Sequence, residues 1–139
     1  ETDIMDIIYP VFSLVMLTFI VAFATGISRV ISVRRREVNP KHYILMTGGT
    51  PPEYVQKIGR NFANLLETPI LFYLLAALVV ALKIDSALIF NLAWLYVALR
   101  LVHTLIHISY NYVIHRFLAF ALSMLSLLAM WIEFIRLAG

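Results

Sequence analysis

The chain contains no cysteine. That excludes disulfides, thiolate metal sites and a catalytic protein thiol, so any sulfur chemistry has to arrive with a ligand. Charge is scarce too. Only 14% of the 139 residues are charged, well below the roughly 25% of a water-soluble domain, while 62% are hydrophobic. The formal charge is only +3, and the basic residues sit between apolar segments. They do not make the solvent-facing, aromatic-interleaved stripe of a nucleic-acid binder, so no nucleic-acid partner is expected. Internal repeats and low-complexity tracts are absent as well. What remains is an integral, multi-pass membrane protein.

The apolar runs divide residues 1–139 into a single all-α domain. After an acidic leader (ETDIMD), the first run extends over about 7–34, longer than the roughly 20 residues that span hydrocarbon. Its length and acidic leading end argue against a secretory signal, and Pro10 falls in the first turn, where a missing N–H costs little. A loop over about 35–58 follows, carrying the turn formers Asn39-Pro40 and Gly48-Gly49-Thr50-Pro51-Pro52. A second helix is expected over about 59–83, with a kink or polar partner at Pro69, which removes the donor for the Leu65 carbonyl. Helices over about 87–112 and 114–137 complete the set. Short connections imply antiparallel neighbours, hence an antiparallel four-helix transmembrane bundle. The first and third loops, with adjoining helix ends, hold Arg34, Arg35, Arg36, Lys41, Lys57, Arg60 and Arg116. The opposite side has Lys83 and Arg136 against Glu1, Asp3, Asp6 and Asp85. The positive-inside rule therefore predicts both termini on the non-cytoplasmic side.

This topology gathers polar groups near one membrane face. Arg60, Asn64 and Glu67 are spaced four and three and share a helix face. Arg100, His103 and His107 have the three-then-four spacing that stacks side chains on the third helix, and Arg116 opens the fourth. Ionisable groups at membrane depth are costly and turn inward to partners, a cavity or a ligand. The expected object is a polar pocket facing the cytoplasm, with helix one able to lend Arg29 or Arg34. An excess of arginine suits carboxylates held by paired guanidinium N–H groups. Glu67 and Asn64 suit an ammonium, so a zwitterionic, peptide-like ligand fits best.

The pattern R-x3-N-x2-E (Arg60, Asn64, Glu67), then R-x2-H (Arg100, His103), then an arginine opening helix four (Arg116), resembles the MAPEG superfamily. These are the membrane-associated proteins of eicosanoid and glutathione metabolism. Asn39-Pro40 after a basic helix end is similar as well. The resemblance covers nearly the whole chain. It implies a homotrimer with glutathione as co-substrate between subunits. Arg60, Asn64, Glu67, Arg100, His103 and His107 would bind the tripeptide, and Arg116 would act catalytically by stabilising the thiolate. The implied activity is that of a transferase or peroxidase acting on a small lipophilic electrophile or hydroperoxide dissolved in membrane lipid. Three departures stand out: His107 occupies a position where many members have tyrosine, Phe117 follows Arg116 where some prostaglandin-forming members have serine, and alignment on Asn39-Pro40 puts no arginine of helix one cleanly on the family's thiol-side position.

Other readings of the same residues stand beside this one. A non-catalytic member would bind lipid or a protein partner in the same cavity, and a proton or ion pathway would use His103, His107 and Glu67. Arg34–Arg36 serve simply as a topology signal, Arg60 and Arg116 as snorkelling side chains, and Glu67 with Arg100 as an ion pair. The two histidines have a metal-face spacing but lack the Glu of an HExxH motif, so no metal is expected.

Overall fold

The structure, a computed structural model, describes residues 3–139. Glu1 of the acidic leader lies outside them. Asp3 and Asp6 form a reciprocal capping box in which Met5 N–H donates to Asp3 Oδ1 and Asp3 N–H to Asp6 Oδ2, both at 3.1 Å. This starts a 3-10 turn, Ile4–Ile7, that runs straight into α1, Ile8–Arg34. The 27 residues of α1 reach about 40 Å, enough to cross hydrocarbon with its interfaces. Its hydroxyls do not oppose burial in an apolar medium. Ser13, Thr18, Thr25, Ser28 and Ser32 each donate to a carbonyl of their own helix three or four residues back, at 2.7–2.9 Å, which satisfies them internally.

A short helix, α2 (His42–Leu45), interrupts the loop that follows. Next come α3 (Glu53–Glu67), α4 (Ile70–Ala81), α5 (Ala87–Ile108) and α6 (Val113–Ala138). Four spans are long and apolar enough to cross a membrane: Ile4–Arg34, Glu53–Ala81, Ala87–Ile108 and Val113–Ala138. α5 packs most extensively on α6 and also meets α1 and α3, while α1 packs along α3. Leu14, Leu65, Phe72, Ala93, Leu127 and Met130 fill the shared core. Large apolar side chains such as Phe19, Phe23, Ile70 and Ile132 lie on the outside, where hydrocarbon is their solvent. The molecule is an all-α, four-helix integral membrane bundle.

Two boundaries differ from the sequence expectation. The second span begins at Glu53, ahead of residue 59, because Pro52 stands at its N-cap position and Gly59 is absorbed into the helix. The third ends at Ile108, short of 112, because Asn111 adopts a left-handed backbone (φ 52°) and its N–H closes on the Ile106 carbonyl at 2.7 Å. At Pro69 the second span breaks outright into α3 and α4.

At the tight turn into α5, Ser86 Oγ accepts from Ile89 N–H at 3.1 Å. Ser86→Ala leaves that donor without its cap and is expected to cost about 1 kcal/mol, read as a lowered thermal midpoint in detergent with the helical circular-dichroism signal unchanged.

Candidate functional site

The first turns of α3 are polar for a reason visible in their contacts. Glu53, at the positive end of the helix dipole, pairs with Lys57 one turn on, at 3.1 Å. Lys57 Nζ also donates to the carbonyl of Ser109 at the end of α5, at 3.0 Å. One turn deeper, Thr104 Oγ1 donates to Asn61 Oδ1 at 3.3 Å. One turn deeper again, Arg100 Nη2 donates to Asn64 Oδ1. The three contacts step down α3 as 57, 61, 64 and up α5 as 109, 104, 100, so they form a ladder between antiparallel helices. From its first rung to its last, seven residues along α3, the ladder descends about 10 Å.

The break at Pro69 holds the last rung. Both the N–H and the hydroxyl of Thr68 donate to the Asn64 carbonyl, each at 3.0 Å, so the chain around Asn64 is fixed from the C-terminal side. Across the interface, Arg100 is completely buried (0% exposed). Its Nε and Nη1 have no hydrogen-bond partner among the described residues, and neither do His103 Nδ1, His107 Nδ1, Asn61 Nδ2 and the Tyr96 hydroxyl. Arg100 forms no ion pair there: the salt bridges among the described residues are Lys57–Glu53 and Arg136–Glu133. The polar interior is therefore rich in donors and poor in anions, which is the composition that receives a carboxylate-bearing molecule.

His103 and His107 are both buried and meet edge to face, with ring centroids 5.8 Å apart. His103 also rests against Phe120 of α6 at 6.1 Å. Arg116, half-buried at the start of α6, donates from Nη1 to Asn111 Oδ1 at 2.9 Å. Its other donors have no partner among the described residues.

The chain thus brings Asn64, Arg100, His103, His107 and Arg116 to one end of the bundle. Arg60 and Glu67 share that region of α3, but both side chains are exposed and neither has an ionic or hydrogen-bonding partner among the described residues. Arg29 of helix one turns elsewhere, onto the ring of Tyr43 at 5.3 Å. Sequence reasoning passed over Asn61 and Thr104, counted Lys57 only as a loop charge, and offered Asn111 only as a continuation of the α5 face or part of the turn. A signal was there for Lys57, Asn61 and Thr104, because 57, 61 and 64 repeat at four and three and 100 and 104 at four. Asn111 lies past the end of α5 and faces Arg116 instead of extending the helix face.

The MAPEG family model matches residues 7–136. The chain belongs to the MAPEG family. Its match runs from the start of α1 nearly to the end of α6, so the ladder and the histidine pair lie within the matched residues. No curated protein and no solved structure matches this MAPEG chain.

Asn64→Leu removes the one acceptor that the Arg100 guanidinium has among the described residues and is expected to destabilise the protein by roughly 1–3 kcal/mol. Asn64→Asp keeps the acceptor and adds a counter-charge, and is expected to retain wild-type stability. Thermal unfolding of both variants in one detergent checks the pair.

Proposed function

We propose that this protein is a glutathione-dependent membrane transferase or peroxidase, assembled as a homotrimer, with its site between subunits at the cytoplasmic face. The observation that carries the reading is the buried Arg100, held by an amide and left without a counter-ion, on a framework that belongs to the MAPEG family. A buried cation without an anion is costly, and a ligand carboxylate relieves that cost. The exposed Arg60 and Glu67 add the remaining complement, a guanidinium for a second carboxylate and a carboxylate for the ligand's ammonium. Both lie on the protomer surface, where a neighbouring subunit completes the binding cleft in this reading.

Glutathione supplies a thiol, and the protein's part is to hold it and keep it ionised. A free thiol has a pKa of about 8.5, and a nearby cation lowers it by a unit or more. Arg116 takes that role. Asn111 fixes one edge of its guanidinium and leaves the other donors for the sulfur, so charge stabilisation is arranged before the reaction begins. His103 and His107 act as hydrogen-bonding groups along the tripeptide.

The second substrate is a small lipophilic electrophile or hydroperoxide that reaches the site through membrane lipid. An apolar cavity of about 400 Å³ between α1 and the α3–α4 span, lined in part by Val15, Phe19, Phe62, Leu65 and Tyr73, has the size of small-molecule sites. It lies beside Asn64 through Leu65.

Saturable glutathione binding to the detergent-purified protein, measured by calorimetry and abolished in Arg60→Ala, is the expected result. An absence of binding at millimolar ligand would favour the non-catalytic reading, in which the cavity takes lipid or a protein partner. In Arg116→Ala the apparent pKa of bound glutathione should rise by about one unit or more. Thiolate absorbance at neutral pH then falls while the trimer survives. Unchanged absorbance would remove Arg116 from its role.

A further inference from the structure

Away from the α3–α5 ladder, the outer face of α1 carries a second set of features. Ala22, Gly26, Val30 and Arg34 repeat every four residues and make one stripe along the helix. A cavity of about 500 Å³ follows that stripe, walled by Phe23, Ile27 and Ile31 and ending at Arg34. A second cavity of about 350 Å³ continues from it, sharing Val30 and Arg34 and adding Arg29, Pro40 and Tyr43. The groove is open at Gly26, where an added Cβ meets nothing within 4 Å.

The upper end is built to hold charge. The Arg29 guanidinium lies over the Tyr43 ring, 5.3 Å from its centroid, and the Tyr43 hydroxyl is tied to Ser32 Oγ at 2.7 Å. Arg29 is thus held in place by a cation–π contact. Arg34 lines both cavities, Arg35, Arg36 and Lys41 follow it along the chain, and none of these cations forms an ion pair among the described residues. Next to them, Ile44, Leu45 and Met46 are exposed (74%, 76% and 53%) at the end of α2. The segment is kept in this shape by His42 Nδ1–H donating to the Thr47 carbonyl at 2.5 Å and by a left-handed Met46 (φ 54°). Exposed apolar side chains beside unpaired cations are the chemistry of a segment resting at the boundary of headgroups and acyl chains.

We propose that this groove binds one anionic phospholipid, its phosphate between Arg29 and Arg34 and an acyl chain along Gly26 and Ala22. The lengths agree. Ala22 to Arg34 spans about 18 Å of helix, and one leaflet of hydrocarbon is about 15 Å deep. The charge agrees as well: a basic cradle on an apolar track selects an anionic amphiphile, and the track separates a lipid from a soluble phosphate. A bound lipid of this kind gives α1 a fixed depth, independently of any thiol chemistry.

The test uses the intact protein reconstituted with equal phosphatidylglycerol and phosphatidylcholine, re-extracted, and weighed by native mass spectrometry. The expected result is preferential retention of phosphatidylglycerol, with each basic residue near the lipid contributing about fivefold. The double variant Arg29→Gln/Arg34→Gln should then lose roughly 25-fold of the preference. Gly26→Leu, which fills the track without straining the helix, should reduce retention of the lipid. Soluble glycerophosphate should not compete, and neither should glutathione. Equal retention of the two lipids would overturn the proposal, as would a preference untouched by Gly26→Leu, or displacement by glycerophosphate or by glutathione. Because the chain has no cysteine, Gly26→Cys gives a unique probe. Efficient disulfide cross-linking through it would show that a second copy covers the groove and would also overturn the proposal. Reaction with a lipid-soluble thiol reagent that bound phosphatidylglycerol slows would support it.

Discussion

The arrangement of this bundle depends on a single guanidinium. Arg100 sits where nothing reaches solvent, and its partner is an amide, not a carboxylate. A hydrogen bond from a charged donor returns about 1.5–3 kcal/mol, whereas desolvating an ion costs several. An amide accepts the bond but neutralises no charge. A chain selected for stability alone would put leucine or methionine here, so the charge is retained against the fold's own interest. The surrounding elements hold the arginine in place without quenching it.

Two devices achieve this. The α3–α5 ladder fixes the register of the helices from the Lys57–Ser109 end, and the break at Pro69 fixes it from the other. Proline removes one backbone donor and obliges the helix to restart, and Thr68 turns both of its donors back to the carbonyl of Asn64. The residue that faces Arg100 is therefore clamped by contacts on each side. Sliding α3 against α5 by one residue would break all three rungs together, which makes the register cooperative.

Much of this was legible in the sequence, for physical reasons that can be named. The four spans follow from apolar runs too long for any other solvent, and Pro69 announces an interruption, expected as a kink and found as a break between α3 and α4, because its own N–H is missing. The spacing of Arg100, His103 and His107 placed them together on an inner face. The start of α3 was less readable. Its first turns mix Glu53, Gln56, Lys57 and Gly59 after two prolines, a composition that reads as loop until a partner helix is known. Asn61 and Thr104 were overlooked because neutral polar residues signal little alone, and their meaning comes from facing each other across an interface. Asn111 depends on a backbone conformation, which only the closed turn reveals.

The angular order of α3 supports the proposal that a second subunit completes the site. At about 100° per residue, Lys57, Asn61, Asn64 and Thr68 fall within an arc of about 60°, and α5 and the Pro69 break engage that arc. Arg60 and Glu67 fall just outside it, about 60° and 80° from Lys57 and on the same side as Asn64. The polar arc of α3 is therefore wider than one neighbouring helix can cover. Inside the protomer the inner part is bonded, while the outer edge carries an arginine and a glutamate, both exposed and unpaired among the described residues. Ionised groups on a membrane-facing edge are unfavourable, and they lie too near Asn64 to belong to a different feature. A neighbouring protomer that closed over this edge would shield Arg60 and Glu67 and turn an open flank of α3 into a cleft. That cleft would carry Arg60 and Glu67 on its wall and the Arg100 charge behind it. The same geometry explains why a single chain shows the α3 candidates in two settings, Asn64 partly buried against α5 and Arg60 and Glu67 exposed, even though they follow one another on the same helix.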